Sequence, residues 1–201
     1  MRRRQVIVGA AGVGVMLAAG SAGLAAWRAT DATTGAVPLP DEAVTIGHPV
    51  YSFNPKDDQA LAAFATDIFL GRVIAQTGTV GAPTSAPGQE LPMTQFSVAV
   101  LRVVKGRTSG TVTANQVGGL DHNVLVTRAD GRRTKETRLF LLDGDALLVP
   151  GEVALFVSVH VPQSGWYQVV AGSESHPGAV NRAAQDALVE RFARAARGQS
   201  G

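Results

Sequence analysis

The sequence predicts a mainly β domain, a small antiparallel barrel or sandwich with a short helix before it and an amphipathic helix after it, carried behind a membrane-inserting segment. Three observations predict this. Val6 to Trp27 is a run of twenty-two residues in which only Ser21 has a side chain with a strong polar preference. Between Ile68 and Ala171, short apolar stretches alternate with glycine, proline and aspartate turn signals. The two helical patterns, Pro55 to Ala65 and Val180 to Arg197, flank that region and do not interrupt it.

A helix of about 20 apolar residues spans the hydrocarbon core of a bilayer, where backbone polar groups cannot stay unpaired. Arg2, Arg3 and Arg4 precede the run and only Arg28 follows closely, which holds the N-terminus in the cytoplasm and sends the remainder across. Gly9, Gly12, Gly14, Gly20 and Gly23 weaken a soluble helix but are common in membrane helices. Two fates fit the pattern. One is a retained single-pass anchor; the other is a cleaved signal peptide, with Gly23 and Ala25 as its small-x-small site. Arg3-Arg4-Gln5-Val6-Ile7 also resembles a twin-arginine export signal. The expected organisation is an anchor or signal peptide over residues 1–29, an extracytoplasmic linker over 30–45, a β-barrel domain over 46–175, and a C-terminal helix and tail over 176–201. The expected location is a cell membrane with the C-terminal domain outside the cytoplasm, or secretion if the segment is cleaved.

After the linker, TDATTGAVPLP, the chain signals a helix: Asn54 as cap, Pro55 in the first turn, and Asp57 and Asp58 at its positive end. Leu61, Phe64 and Ala65 share one face. Ile68 to Ala75 is an apolar strand broken by Gly71 and Arg72, and Gly78 to Pro92 has the composition of a loop. Phe96, Val98 and Val100 alternate, then the apolar phase moves to Leu101 and Val103. Such a slip predicts a bulge that bends the sheet. Lys105 to Gly110 is a turn, Thr111 to Val117 the next strand, and Asp130-Gly131 a hairpin tip. Pro150-Gly151 opens a strand with Val153, Leu155, Val157 and Val159 on one face, and Gln163 to Gly165 turns it into Trp166 to Ala171. In the last helix Val180, Ala184, Leu188, Phe192 and Ala195 form the stripe expected to dock, with Arg182, Asp186, Glu190, Arg194 and Arg197 outward.

Composition excludes several function classes. Without Arg2, Arg3 and Arg4, fifteen basic residues face sixteen acidic ones, so the exported part is near neutral. It has no basic stripe for nucleic acid. Cysteine is absent, which removes disulfides, thiol nucleophiles and thiolate metal sites. The domain must therefore hold together through an ordinary core.

Leu61 to Ala171 carries a set of ordered motifs. Ala65-Thr66-Asp67 ends the helix, IFLGRVIAQ follows with Gly71, FSVAVLRVVKG contains Val103 to Gly106, TVTANQVGG ends in Gly118-Gly119, and LLVPGEVALFVSVH contains Pro150 to Glu152. This succession resembles the netrin-like, or tissue-inhibitor-of-metalloproteinase-like, OB-fold of many exported bacterial proteins. The resemblance implies a closed or partly open OB-like barrel, and its motifs lie at turns and strand ends. Inhibitors of that family clamp a protease zinc through an N-terminal cysteine; this chain has none, so that activity is not implied.

No motif assembles a catalytic centre. His48, His122, His160 and His176 lack the spacing that places two histidines on one zinc ion. Asp121-His122-Asn123 is the densest polar cluster and reads as a loop capping its own turn; catalysis would need a nucleophile that its neighbours do not supply. Asp143-Gly144-Asp145 is followed by apolar residues, unlike a calcium loop. Trp27 suits the lipid–water boundary, and Trp166 and Tyr167 suit a barrel end. The sequence thus predicts no catalytic, cofactor-binding or metal residues. It predicts a non-enzymatic binding module that contacts the membrane through residues 6–27 and meets a protein or a cell-envelope glycan, with Gly78–Pro92 and Leu120–Glu136 as its candidate surfaces. The alternatives are an exported hydrolase built around Asp121 and His122, or an accessory subunit of a membrane complex.

Overall fold

In the computed structural model, which describes residues 44–48, 51–84, 90–143, 145–170 and 182–198, the first helix begins one turn later than its sequence signal. Helix α1 spans Asp58–Phe64, and its cap is Asp57, whose carboxylate accepts from the backbone N–H of Gln59 at 2.8 Å. Asn54 closes the turn ahead of it, accepting from the Lys56 N–H at 3.0 Å. Val6 to Trp27, the stretch expected to insert into a membrane, lies outside the described residues, as do His176 and Val180. Among those described, no helix is long and apolar enough to cross a membrane.

The protein is mainly β. Seven strands follow in chain order: β1 Val44–Gly47, β2 Asp67–Pro83, β3 Glu90–Lys105, β4 Thr111–Thr127, β5 Arg133–Leu142, β6 Val153–Val161 and β7 Trp166–Val169, with helix α2 Arg182–Arg197 at the end. They form one sheet in the order β1-β5-β4-β3-β2-β6-β7, and an extra β4–β7 pairing bends part of it into a ring. The ring holds β4, β3, β2, β6 and β7; β1, β5 and the distal half of β4 stand outside it as an extension. The sheet is mixed, where the sequence predicts an antiparallel one: β1–β5 and β4–β7 are parallel.

Three strands are longer than predicted. The predicted loop Gly78–Pro92 is strand at both its flanks: Gly78 to Pro83 continue β2 and Glu90 to Pro92 begin β3, paired from Gly78↔Gln95 to Pro83↔Glu90, and residues 85–89 lie outside the described residues. A Cβ on Gly81 would meet the end of the Glu90 side chain across the hairpin, which would have to move aside. β4 likewise passes through Gly118 and Gly119, whose φ values of 130° and 141° kink it without ending it. The phase slip after Val100 does mark a bulge, since the β2–β3 register skips Leu101.

Strands β2 and β6 are buried on both faces, which gives the domain two cores. Phe69, Val73, Phe96, Val98, Ala154 and Phe156 fill the ring, with Phe69 and Phe156 stacked 5.1 Å apart. Ile68, Leu70, Leu155 and Val157 face the other way, against Leu61 and Ala62 of α1 and Val189, Phe192 and Ala195 of α2. The docking stripe of α2 is the one predicted at Leu188, Phe192 and Ala195, with Val189 added to it and Ala184 exposed. Phe64 packs at the rim on Phe53, 4.9 Å between rings.

Candidate functional site

The motif residues that carry the family resemblance are structural. Asp67 sits at the start of β2, and its carboxylate accepts from Thr66 Oγ1 at 2.8 Å, Thr108 Oγ1 at 2.7 Å and the Arg107 N–H at 3.3 Å. It thereby ties the β3–β4 turn to the end of α1. Gly106 turns there at φ 89°, and a Cβ on it would collide with the Asp67 carboxylate. Lys105 donates from Nζ to the Ala62 and Ala65 carbonyls, both at 2.7 Å, and so satisfies acceptors that the end of α1 leaves open. Gly71 lets Val98 and Phe156 approach the β2 backbone. Glu152 accepts from the Val149 N–H at 3.1 Å and closes the Pro150-Gly151 turn, which docks on β2 through Gly151 N–H to Val73 O at 2.8 Å.

The chemistry-bearing residues are dispersed. Asp121-His122-Asn123 is not a loop but a bulge within β4, where the β4–β5 register breaks between Asp121 and Val124. Asp121 accepts from the Asn123 N–H at 2.9 Å, whereas His122 Nδ1 lies 3.0 Å from Thr137 Oγ1. The two side chains thus serve different partners. His48 Nδ1 is 3.0 Å from the Asp143 carboxylate. Nearby, burial first and then the Asp143 and Asp145 carboxylates push the Tyr51 hydroxyl above its ordinary pKa. His160 stacks against Tyr167 at 4.8 Å, and Tyr167 meets Phe69 edge-on at 5.8 Å. Among the described residues, no three histidines, cysteines or carboxylates gather where they could hold a metal ion.

The closing seam of the ring is short. β4 and β7 pair only at Ala114↔Tyr167 and Asn115↔Gln168. There Asn115 Nδ2 donates to Gln168 Oε1 at 3.1 Å, and Gln168 Nε2 returns a bond to the Asn115 carbonyl at 2.9 Å. Gln116, one residue on, accepts from the Leu148 N–H at 3.0 Å and donates to the Ala146 carbonyl at 3.1 Å.

The extension offers a surface of different character. Residues directly paired across a sheet share a face. Val44 pairs with Leu139 and Leu139 with Leu120; Ile46 pairs with Leu141; Leu125 pairs with Lys135. These six apolar residues therefore lie on one face, with Ile46 45%, Leu120 40% and Leu125 58% exposed. Arg133, Lys135 and Thr137 also lie on this face of β5, with Lys135 Nζ donating to Asn123 Oδ1 at 3.0 Å, while Glu136 and Arg138 point to the other and pair there at 3.1 Å. No motif announces this surface. It emerges only once β1 and β5 are known to be neighbours. The chain matches no family model and no curated protein sequence.

Proposed function

We propose that the protein is a non-enzymatic binding module held at the outer face of a cell membrane by residues 6–27, or released there if that segment is cleaved. Its ring, read as a netrin-like OB barrel, is the rigid frame. The long β2–β3 and β4–β5 hairpins are the surfaces that meet an envelope protein or glycan. Support for the barrel reading comes from the ring order β4-β3-β2-β6-β7, a five-strand closure with one parallel seam. The observation that carries the functional reading is the extension, where Ile46, Leu120 and Leu125 are exposed on one face, because exposed apolar side chains gathered on one surface mark interaction sites. The hydrolase alternative has less behind it, since Asp121 and His122 turn to different partners.

Protease accessibility tests this reading. Arg128, Arg132 and Arg133 at the β4–β5 tip are exposed, so trypsin added outside intact spheroplasts should cut there, and the full-length chain should sediment with membranes. A full-length chain found soluble in the cytoplasm, cut only after lysis, overturns it.

A further inference from the structure

We infer that the apolar face of the β1–β5–β4 extension lies on the membrane itself and takes anionic lipid headgroups, an inference that rests on the tethered reading above. Three observations meet on this face. Its apolar side chains are exposed at Ile46, Leu120 and Leu125. Its charged side chains on β4 and β5 are Arg133 and Lys135; the carboxylates of Asp121 and Glu136, partners across the sheet of Arg138 and Val124, belong to the opposite face. The face is thus apolar around Ile46 and Leu120, polar at His122 and Thr137, and cationic where Arg133 and Lys135 flank Leu125, a mixture that suits the boundary between acyl chains and anionic headgroups.

The third observation is where the chain enters. Sixteen residues separate Trp27 from Val44, and Val44 is itself part of this face, on the edge strand β1. Sixteen residues of chain can span a gap of about 20 Å or more. The extension is therefore leashed to the bilayer at high effective concentration, so even a weak contact is populated. A partner protein would find the same surface, but it would not need the tether to end on the docking strand.

The chain contains no cysteine, so one introduced cysteine carries a nitroxide at a single place. The full chain is reconstituted in vesicles of phosphatidylcholine mixed with phosphatidylglycerol, with the label at Thr127→Cys, on the same face, or at Ser164→Cys, in the β6–β7 turn. The Thr127 label should become accessible to oxygen and shielded from a water-soluble nickel chelate, while the Ser164 label stays aqueous. Removing both charges with Arg133→Gln and Lys135→Gln should lower the docked-to-free ratio roughly thirtyfold, since each basic residue near an anionic surface contributes on the order of 1 kcal/mol. Leu125→Ser should lower it further. If the chain floats with the vesicles but the Thr127 label stays aqueous, docking is overturned and the tether stands. If the chain does not float, both fall. Spin–spin broadening at Thr127 that grows with protein density assigns the face to a second copy and also overturns the inference.

Discussion

Asp67 is the residue on which the junction between α1, β2 and the β3–β4 turn depends. It is 8% exposed and accepts three hydrogen bonds, two from hydroxyls at 2.7 and 2.8 Å and one from a backbone N–H at 3.3 Å. Replacing it with alanine strips Thr108, itself 3% exposed, of the acceptor for its hydroxyl. A buried donor left without a partner costs about 1–3 kcal/mol, and a bond to a charged group contributes about 1.5–3 kcal/mol. The shared atoms prevent simple addition, so the expected loss for Asp67→Ala is about 3 kcal/mol. For a chain of this size that lowers the melting temperature by roughly 6–12 °C. Asp67→Asn keeps an acceptor and the shape, and should lose about half as much. Thermal unfolding followed by circular dichroism measures both. The cycle pairing Asp67→Ala with Thr108→Val should show a coupling of about 1–2 kcal/mol, because the two groups share one bond. If both Asp67 variants melt with the native protein, the carboxylate is not the clamp and the account of the motif is wrong.

Three further outcomes follow from the same geometry. Lys105→Met keeps the apolar stem but removes both donors to the end of α1, costing about 1–2 kcal/mol; amide hydrogen exchange should quicken in α1 and leave the ring unchanged. Phe156→Ala opens a void against Phe69 in the filled ring, with an expected loss of about 3–5 kcal/mol in denaturant unfolding. Tyr51 titrates above its ordinary pKa in the folded state. The stability linked to its protonated hydroxyl is therefore fully present below pH of about 10 and declines as the pH rises further, since the unfolded tyrosine loses its proton first. Tyr51→Phe should flatten that alkaline decline in the melting temperature; an unchanged decline refutes the assignment.

Local rules made much of the ring legible. The turn at Lys105–Gly110, the hairpin tip at Asp130-Gly131 and the bulge at Leu101 each rest on near neighbours in sequence. What escaped depended on distant partners. Gly78 and Gly81 read as loop residues because glycine usually marks a turn, yet here they continue β2, paired with Gln95 and Pro92 across the hairpin. Asp121-His122-Asn123 has the composition of a loop and is held in a strand by β5. β2 and β6 show no single polar face because α1 and α2 cover the side that water would otherwise wet. The α2 stripe was legible at Leu188, Phe192 and Ala195 from helical spacing alone, whereas Val189 was missed and Ala184, near the start of the helix, is exposed. The apolar face of the extension was illegible for a simpler reason. Val44 and Leu139 are far apart in the chain, and no local pattern says that they are neighbours.

The seam at Asn115 and Gln168 also sets when this architecture exists at all. β7 is the last strand to be synthesised, and it is what joins β6 to β4. A chain stopped short of Trp166 would leave two raw edges, so the closed form needs the chain to extend through Val169. Contacts this far apart along the chain form slowly. Biogenesis therefore needs an interval in which the polypeptide is complete but its circle is still open, and in which those edges must be kept from other strands.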